Sequence, residues 1–211
     1  MLVVHHLGLS QSERIVWLCE ELGIGYELKR YDRRADNRLA PDEYKALHPM
    51  GIAPVITDGD LVLGESAAIC DYVNAIYGKG ALSPAPGEAD YADYLFWFHW
   101  SNATFMATKM IAMGIAFSGG DPAKVPFVAD RAQRSQEMME QRLGEVPFFA
   151  GQRLTLADIM MVYSLTTSRA FGAPPLTGTP NTHAYLRRIA ERPAYQRAMA
   201  KAEPGMQPMI D

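Results

Sequence analysis

The chain carries only two cysteines in 211 residues, Cys19 and Cys70, far apart and outside any cluster with metal-ligand spacing. That scarcity argues against a disulfide framework and gives no sign of a zinc site. Basic runs are missing as well, because 20 Lys and Arg are scattered among 24 Asp and Glu for a net charge of −4. Nucleic acid and anionic membrane surfaces are therefore poor partners. No stretch of about 18 apolar residues occurs. The opening MLVVHHLG has neither a cationic segment before its apolar residues nor a small-residue cleavage site. These absences predict a cytoplasmic protein without membrane anchor or metal. One further gap is local: thiol-disulfide proteins often place Cys-x-x-Cys where a first strand meets a first helix, and here the four residues are Ser10, Gln11, Ser12 and Glu13.

The first third of the chain alternates strand-like and helical patterns. LVVHH (2–6) reads as a buried strand, and residues 12–22 as a helix with an apolar face of Ile15, Val16, Leu18, Cys19 and Leu22, closed by Gly23. YELKRY (26–31) alternates like a strand, and APDEYKAL (40–47) opens a helix with Pro41 and two acids. PVIT and LVLG flank the turn Asp58-Gly59-Asp60 as a hairpin, and 65–77 forms a helix burying Ala68, Ile69, Tyr72, Val73 and Ile76. The order β-α-β-α-β-β-α implies an α/β domain with a mixed four-stranded sheet over residues 1–79.

GKGALSPAPG (78–87) is a Gly- and Pro-rich linker, and everything after it is helical. Residues 88–211 are expected to form an all-α second domain: one long helical segment to about Met113, others over 122–143 and 156–171, and one or two over 182–202 interrupted at Pro193. Thr155 and Asp158 have the spacing of a capping box, with Leu154 and Ile159 placed as a hydrophobic staple, so Asp158 reads as structural.

Three motifs, SQSERIVWLCEELGIGYEL, HPMGIAPVITDGDLVLGESAAICDYV and AGQRLTLADIMM, together resemble the cytosolic glutathione transferases over essentially the whole chain. The resemblance implies a thioredoxin-like N-terminal domain, a helical C-terminal domain and a homodimer. The serine-type branch of bacteria and fungi looks closest: Gly8 stands where tyrosine-type classes keep their catalytic tyrosine, and Ser10 matches the serine of the serine-type classes. Glutathione would then be the borrowed thiol. A thiol of pKa about 8.5 is only a few per cent ionised at neutral pH. Lowering that by roughly 2 units requires about 2.7 kcal/mol of preferential anion stabilisation. A hydroxyl donating to charged sulfur supplies about 1.5–3 kcal/mol, and a helix N-terminus roughly 0.3–1 more. Ser10 together with the free N–H groups of the first helical turn suffices on that count, with Ser12 an alternative donor. Ser10 and Glu13 also fit a capping box that would merely start the helix.

For the rest of glutathione, the resemblance implies contacts from Ile52, Ala53, Pro54, Glu65 and Ser66. The Ala53-Pro54 bond would be cis, Ala53 would offer its backbone to the cysteinyl part, and Ser66 with a helix N-terminus would take the γ-glutamyl carboxylate while Glu65 takes the ammonium. Each is also readable as an ordinary strand start or helix cap. Ile52 stands where many relatives carry a basic or polar residue, which leaves Arg33, Arg34, Arg38, Lys45 or His48 to meet the glycine carboxylate. The electrophile pocket is expected to be apolar, bordered by Leu9, Trp97, Phe105 and Met106. Met106, Met110 and Met113 recur at helical spacing that equally suits a core. His99 reads as a packing residue or a base, and Cys19 and Cys70 as inert. The implied reaction is attack of the glutathione thiolate on a hydrophobic electrophile. A glutathione-dependent peroxidase or disulfide reductase, and a non-catalytic binding or dimerisation protein, are the alternatives.

Overall fold

A computed structural model describes residues 1–172 and 176–210; Asp211, the far bound expected for the second domain, lies outside the described residues. The N-terminal domain holds β1 (Leu2–Leu7), α1 (Glu13–Leu22), β2 (Glu27–Tyr31), α2 (Asp42–Lys45), β3 (Val55–Asp58), β4 (Leu61–Gly64) and α3 (Ser66–Ile76). Its sheet runs β2-β1-β3-β4, with β1 parallel to β2 and the other pairs antiparallel. The mixed four-stranded sheet follows from the expected crossover and hairpin. Gly59, in the two-residue turn of that hairpin, has φ +58°, a conformation that glycine adopts without penalty.

The helical C-terminal domain comprises α4 (Tyr91–Trp100), α5 (Ala107–Phe117), α6 (Pro126–Glu145), α7 (Leu156–Leu165), α8 (Pro180–Ala190) and α9 (Pro193–Ala202). The segment expected as one long helix is divided by a π-helical stretch, Ser101–Met106. Such stretches insert an extra residue into a helix and recur at functional sites. No helix among the described residues is long and apolar enough to cross a membrane.

Helix α1 lies between the domains and packs against β1, α3, α7 and α9. It is therefore buried from Glu13 to Glu20, polar residues included, where the sequence suggested a single apolar face. The face of α3 is likewise shifted. Ile69, Cys70, Val73 and Asn74 point inward, while Ala68 and Ile76 are exposed, because α3 packs on α1 and α7 along that stripe. Burial pushes both cysteine thiols up, and neither is bonded to the other, so they are inert as expected. The box at Thr155 and Asp158 is formed, and Asp158 is fully buried at the start of α7.

Candidate active site

The turn between β1 and α1 does not form the Ser10–Glu13 capping box. The backbone N–H of Ser12 donates to Ser10 Oγ (3.2 Å), Ser12 is the cap residue, and the Glu13 carboxyl is buried with Oε2 unpartnered. Ser10 is 4 % exposed and Ser12 not at all. Ser12, expected as an alternative thiol donor, is corrected to an interior residue. Its Oγ sits 2.6 Å from Ser10 Oγ and 2.9 Å from His6 Nδ1, and it accepts from the backbone N–H of Leu7 (3.1 Å).

Beside this turn opens a cleft of about 430 Å³. Gln11, Glu65 and Ala67 line one side, and Phe98, His99, Asn102, Met106 and Met110 the other. A smaller cavity of about 230 Å³, with His48, Ile52 and Leu63 on its wall, shares Glu65 with it. Glu65 is exposed and held at φ +69° immediately before α3, a strained conformation that turns the chain into the helix. Ser66 begins α3 with its hydroxyl occupied: it accepts from Arg14 Nη1 (3.1 Å) and donates to Gln11 Oε1 (3.5 Å). The Ala53-Pro54 bond is cis and precedes β3. Of the basic candidates, Arg33 is tied to the carbonyls of Gly8, Leu9 and Arg38, Arg34 pairs with Asp36, Lys45 pairs with Asp42, and Arg38 lies over Phe171. Of these two cavities, the smaller has His48 on its wall, and neither is lined by the other four.

The pocket residues divide. Met106 and Met110 line the cleft. Trp97 does not: it is 4 % exposed and packs on Phe149 and Trp100, so its assignment to the pocket is corrected to the core. Phe105 stacks on Trp100 outside the cleft lining. Leu9, at φ +53°, is fixed by its backbone, its N–H donating to Glu203 Oε1 (2.5 Å) and its carbonyl accepting from Arg33 (3.2 Å) and Tyr163 (3.4 Å).

Sequence reasoning missed the charge beneath the cleft. Arg14 is buried and donates to Gln11 Oε1 (2.5 Å), Ser66 Oγ, Asn102 Oδ1 (3.0 Å) and Ser164 Oγ (3.2 Å), with the Tyr163 ring alongside. Burial lowers its pKa to about 10, which leaves it cationic at neutral pH. Among the described residues no carboxylate forms an ion pair with it. Lys109 is a second desolvated cation, pushed down to about 8 by burial and by neighbouring arginines, with its Nζ on the Ser164 carbonyl and on Ser168 (2.9 Å). The interior behind the cleft is thus positive and favours an anion in it. Among the described residues no group of three or more His, Cys, Asp or Glu side chains could hold a metal.

Glu13 carries the opposite signature. Burial raises its pKa from 4.5 to about 8. The folded protein therefore holds a proton that the unfolded chain releases, and stability falls as pH rises from about 4.5 to about 8. Glu13→Gln removes that dependence, and its melting temperature exceeds the wild type's by a margin that grows across this window. A constant margin would contradict the assignment.

The same sequence pattern and fold occur in known proteins. Residues 10–76 match the family model for the glutathione S-transferase N-terminal domain, and residues 103–193 that for the C-terminal domain. Glutathione S-transferase 3 of Schizosaccharomyces pombe is 31 % identical, over 96 % of this chain and 88 % of its own. The crystal structure of a glutathione S-transferase from Actinobacillus pleuropneumoniae superposes with TM-score 0.86 at 34 % identity, covering 96 % of this chain and 93 % of that one. A theta-class enzyme of Xanthomonas axonopodis pv. citri with glutathione bound gives 0.72 at 25 %, covering 93 % and 96 %. With both domain models matched in order, together spanning most of its length, this chain belongs to the glutathione S-transferase family.

Proposed function

We propose that the protein conjugates glutathione to a hydrophobic electrophile, with Ser10 holding the sulfur as thiolate. The observation that carries this reading is the cleft itself: it brings Gln11 and Glu65 opposite Phe98, Met106 and Met110, above the unneutralised Arg14 cation. A peptide thiol with two carboxylates fits the polar wall, and an apolar electrophile fits the other. An extended tripeptide spans about 10 Å. It would run from the start of α3 and Glu65, past Ala53, toward His48, whose imidazole then meets the glycine carboxylate. The bound glutathione of the Xanthomonas relative supports the choice of thiol. Ser10, at the turn before α1, supports reading the chain as a serine-type member of the family. Catalysis rests on proximity and on stabilising the anion, with no covalent enzyme intermediate.

A homodimer, the family's usual assembly, is compatible with the exposed apolar side chains Met50, Ile52, Val62, Ile76 and Phe96. A cytoplasmic location fits two unpaired cysteines. The reading is tested by retention on immobilised glutathione together with turnover of a haloarene and of an organic hydroperoxide. Retention with conjugation of the haloarene is expected. Turnover of the hydroperoxide alone would make the protein a peroxidase, and absence of retention and turnover would make it a binding module.

A further inference from the structure

Behind Ser10 runs an unbroken line of short contacts that ends in a carboxylate. Ser10 Oγ lies 2.6 Å from Ser12 Oγ, which lies 2.9 Å from His6 Nδ1, and His6 Nε2 lies 3.1 Å from Glu203 Oε1. His6 is inaccessible and Glu203 nearly so. The hydrogens in this line can be assigned by counting. Facing a carboxylate, His6 Nε2 carries its hydrogen, so Nδ1 of a neutral ring is a bare acceptor. Ser12 has two acceptors for its one hydroxyl hydrogen, His6 Nδ1 at 2.9 Å and the Leu7 carbonyl at 3.4 Å, and gives it to the nearer, Nδ1. The hydrogen between the two serines must then come from Ser10. In this state the Ser10 oxygen accepts from the Ser12 backbone and has a lone pair left, so it meets an incoming S–H as an acceptor.

We propose that His6, oriented by Glu203, is the internal base for the glutathione thiol, reached through the hydroxyls of Ser10 and Ser12. This inference rests on the reading of Ser10 given under the proposed function. The S–H bond breaks and its proton passes to Ser10 Oγ, the Ser10 proton passes to Ser12 Oγ, and the Ser12 proton forms the Nδ1–H bond of His6. No electrons change hands. The result is a thiolate accepting from Ser10, Ser10 accepting from Ser12, and an imidazolium donating to Ser12 and to Glu203. Each hydroxyl ends with its hydrogen pointing toward the sulfur, which is the direction that stabilises the anion. The sulfur then bonds to the electrophile's carbon as the leaving group, halide for a haloarene, departs with its bonding pair. Once the thioether leaves, Ser10 gives its hydrogen to water, Ser12 gives its own to Ser10, and His6 Nδ1 returns its proton to Ser12.

The charged and titratable groups around this pair favour that direction. Arg33, from the loop after β2, adds positive potential at Glu203. Glu13 faces it from α1 but is held neutral at pH 7 by burial. Arg14 and Tyr163 lie beyond, on α1 and α7. Arg30, the cross-strand neighbour of His6, pairs with Asp32 at the surface. Glu203 is thus the carboxylate in contact with the imidazole, and its Oε1 also receives the Leu9 N–H at the mouth of the turn.

The experiment compares wild type, Ser10→Ala, His6→Asn and Glu203→Gln by titrating the ultraviolet absorbance of bound glutathione thiolate and by the pH profile of kcat/KM. Both distal variants should raise the pH at which bound thiol ionises by about one unit and lower kcat/KM about tenfold at acidic pH, with recovery at high pH. KM for glutathione should stay within about twofold, since neither residue lines the cleft. Distal variants that titrate like wild type, with Ser10→Ala impaired, overturn the relay and leave Ser10 in place. Ser10→Ala titrating like wild type overturns Ser10 itself. Should the distal variants not fold, proton release from wild type decides in a weakly buffered indicator solution. Thiolate appearing with markedly fewer protons released than thiolate formed supports His6 as acceptor, and equal amounts overturn it.

Discussion

Ser10→Ala is expected to lower kcat/KM for glutathione and a haloarene about a hundredfold at neutral pH, the lower range for losing one donor to a developing or resident anion. That corresponds to about 2.7 kcal/mol, close to what a roughly 2-unit depression of a thiol pKa demands. The loss should fall on kcat and on thiol ionisation, with KM for glutathione little changed, because on the proposed reading the tripeptide is gripped elsewhere, at Glu65, the start of α3 and Ala53. Raising the pH should restore part of the rate by ionising the thiol without help. The fold should survive, since Ser10 Oγ makes only two hydrogen bonds, accepting from the Ser12 N–H and sharing one with the Ser12 hydroxyl. A variant within threefold of wild type at pH 7, with normal glutathione affinity, would remove Ser10 from the mechanism.

Asp158→Ala is expected to cost about 4 kcal/mol of stability. Asp158 accepts from the backbone N–H groups of Phe149 (3.0 Å) and Thr155 (2.9 Å), from Tyr185 Oη (3.1 Å) and from Thr155 Oγ1 (3.3 Å). All are buried, and each donor left unsatisfied costs roughly 1–3 kcal/mol, reduced where water enters the space. For a chain of this length the melting temperature should fall by about 10 °C. Asp158→Asn keeps one acceptor oxygen, enough for Phe149 and Tyr185, and should lose about half as much. A calorimetric scan showing a shift under 3 °C for the alanine variant would mean the box is dispensable. Activity per folded molecule should be unchanged below the transition, since Asp158 lines neither cavity.

These two residues also mark what the linear order of amino acids discloses. Asp158 was legible because a capping box is local: Thr155 three residues earlier and the apolar run after it suffice. The sheet was legible for the same reason, through alternation, a turn with Asp58-Gly59 and helix stops such as Gly23. Ser10 and Glu65 were found by motif resemblance, whereas their surroundings were not. His6 and Glu203 are 197 positions apart in the chain, and nothing in either neighbourhood announces the other. Arg14 looks like an ordinary polar residue on an amphipathic helix until α7 and α3 close over it.

Trp97 and Phe105 both fall outside the cleft lining, and Phe105 lies inside the π-helical stretch Ser101–Met106, which no local sequence signal announces. The buried positions run Trp97, Ser101, Met106, so the interval lengthens from four to five inside the π-helical stretch. Each residue turns an α-helix by about 100°, so one extra residue rotates everything downstream by that amount. Met106 and Met110 are thereby swung to the cleft.

The Arg14 guanidinium joins α1 and α3 of one domain to Asn102 and Ser164 of the other. A gene fragment ending at the linker would leave that cation stripped of half its ligands, and a second half expressed alone would lack the cation altogether. The two portions are interdependent at this cation, so a domain exchange between relatives should succeed best when residues 14, 66, 102 and 164 travel as a matched set.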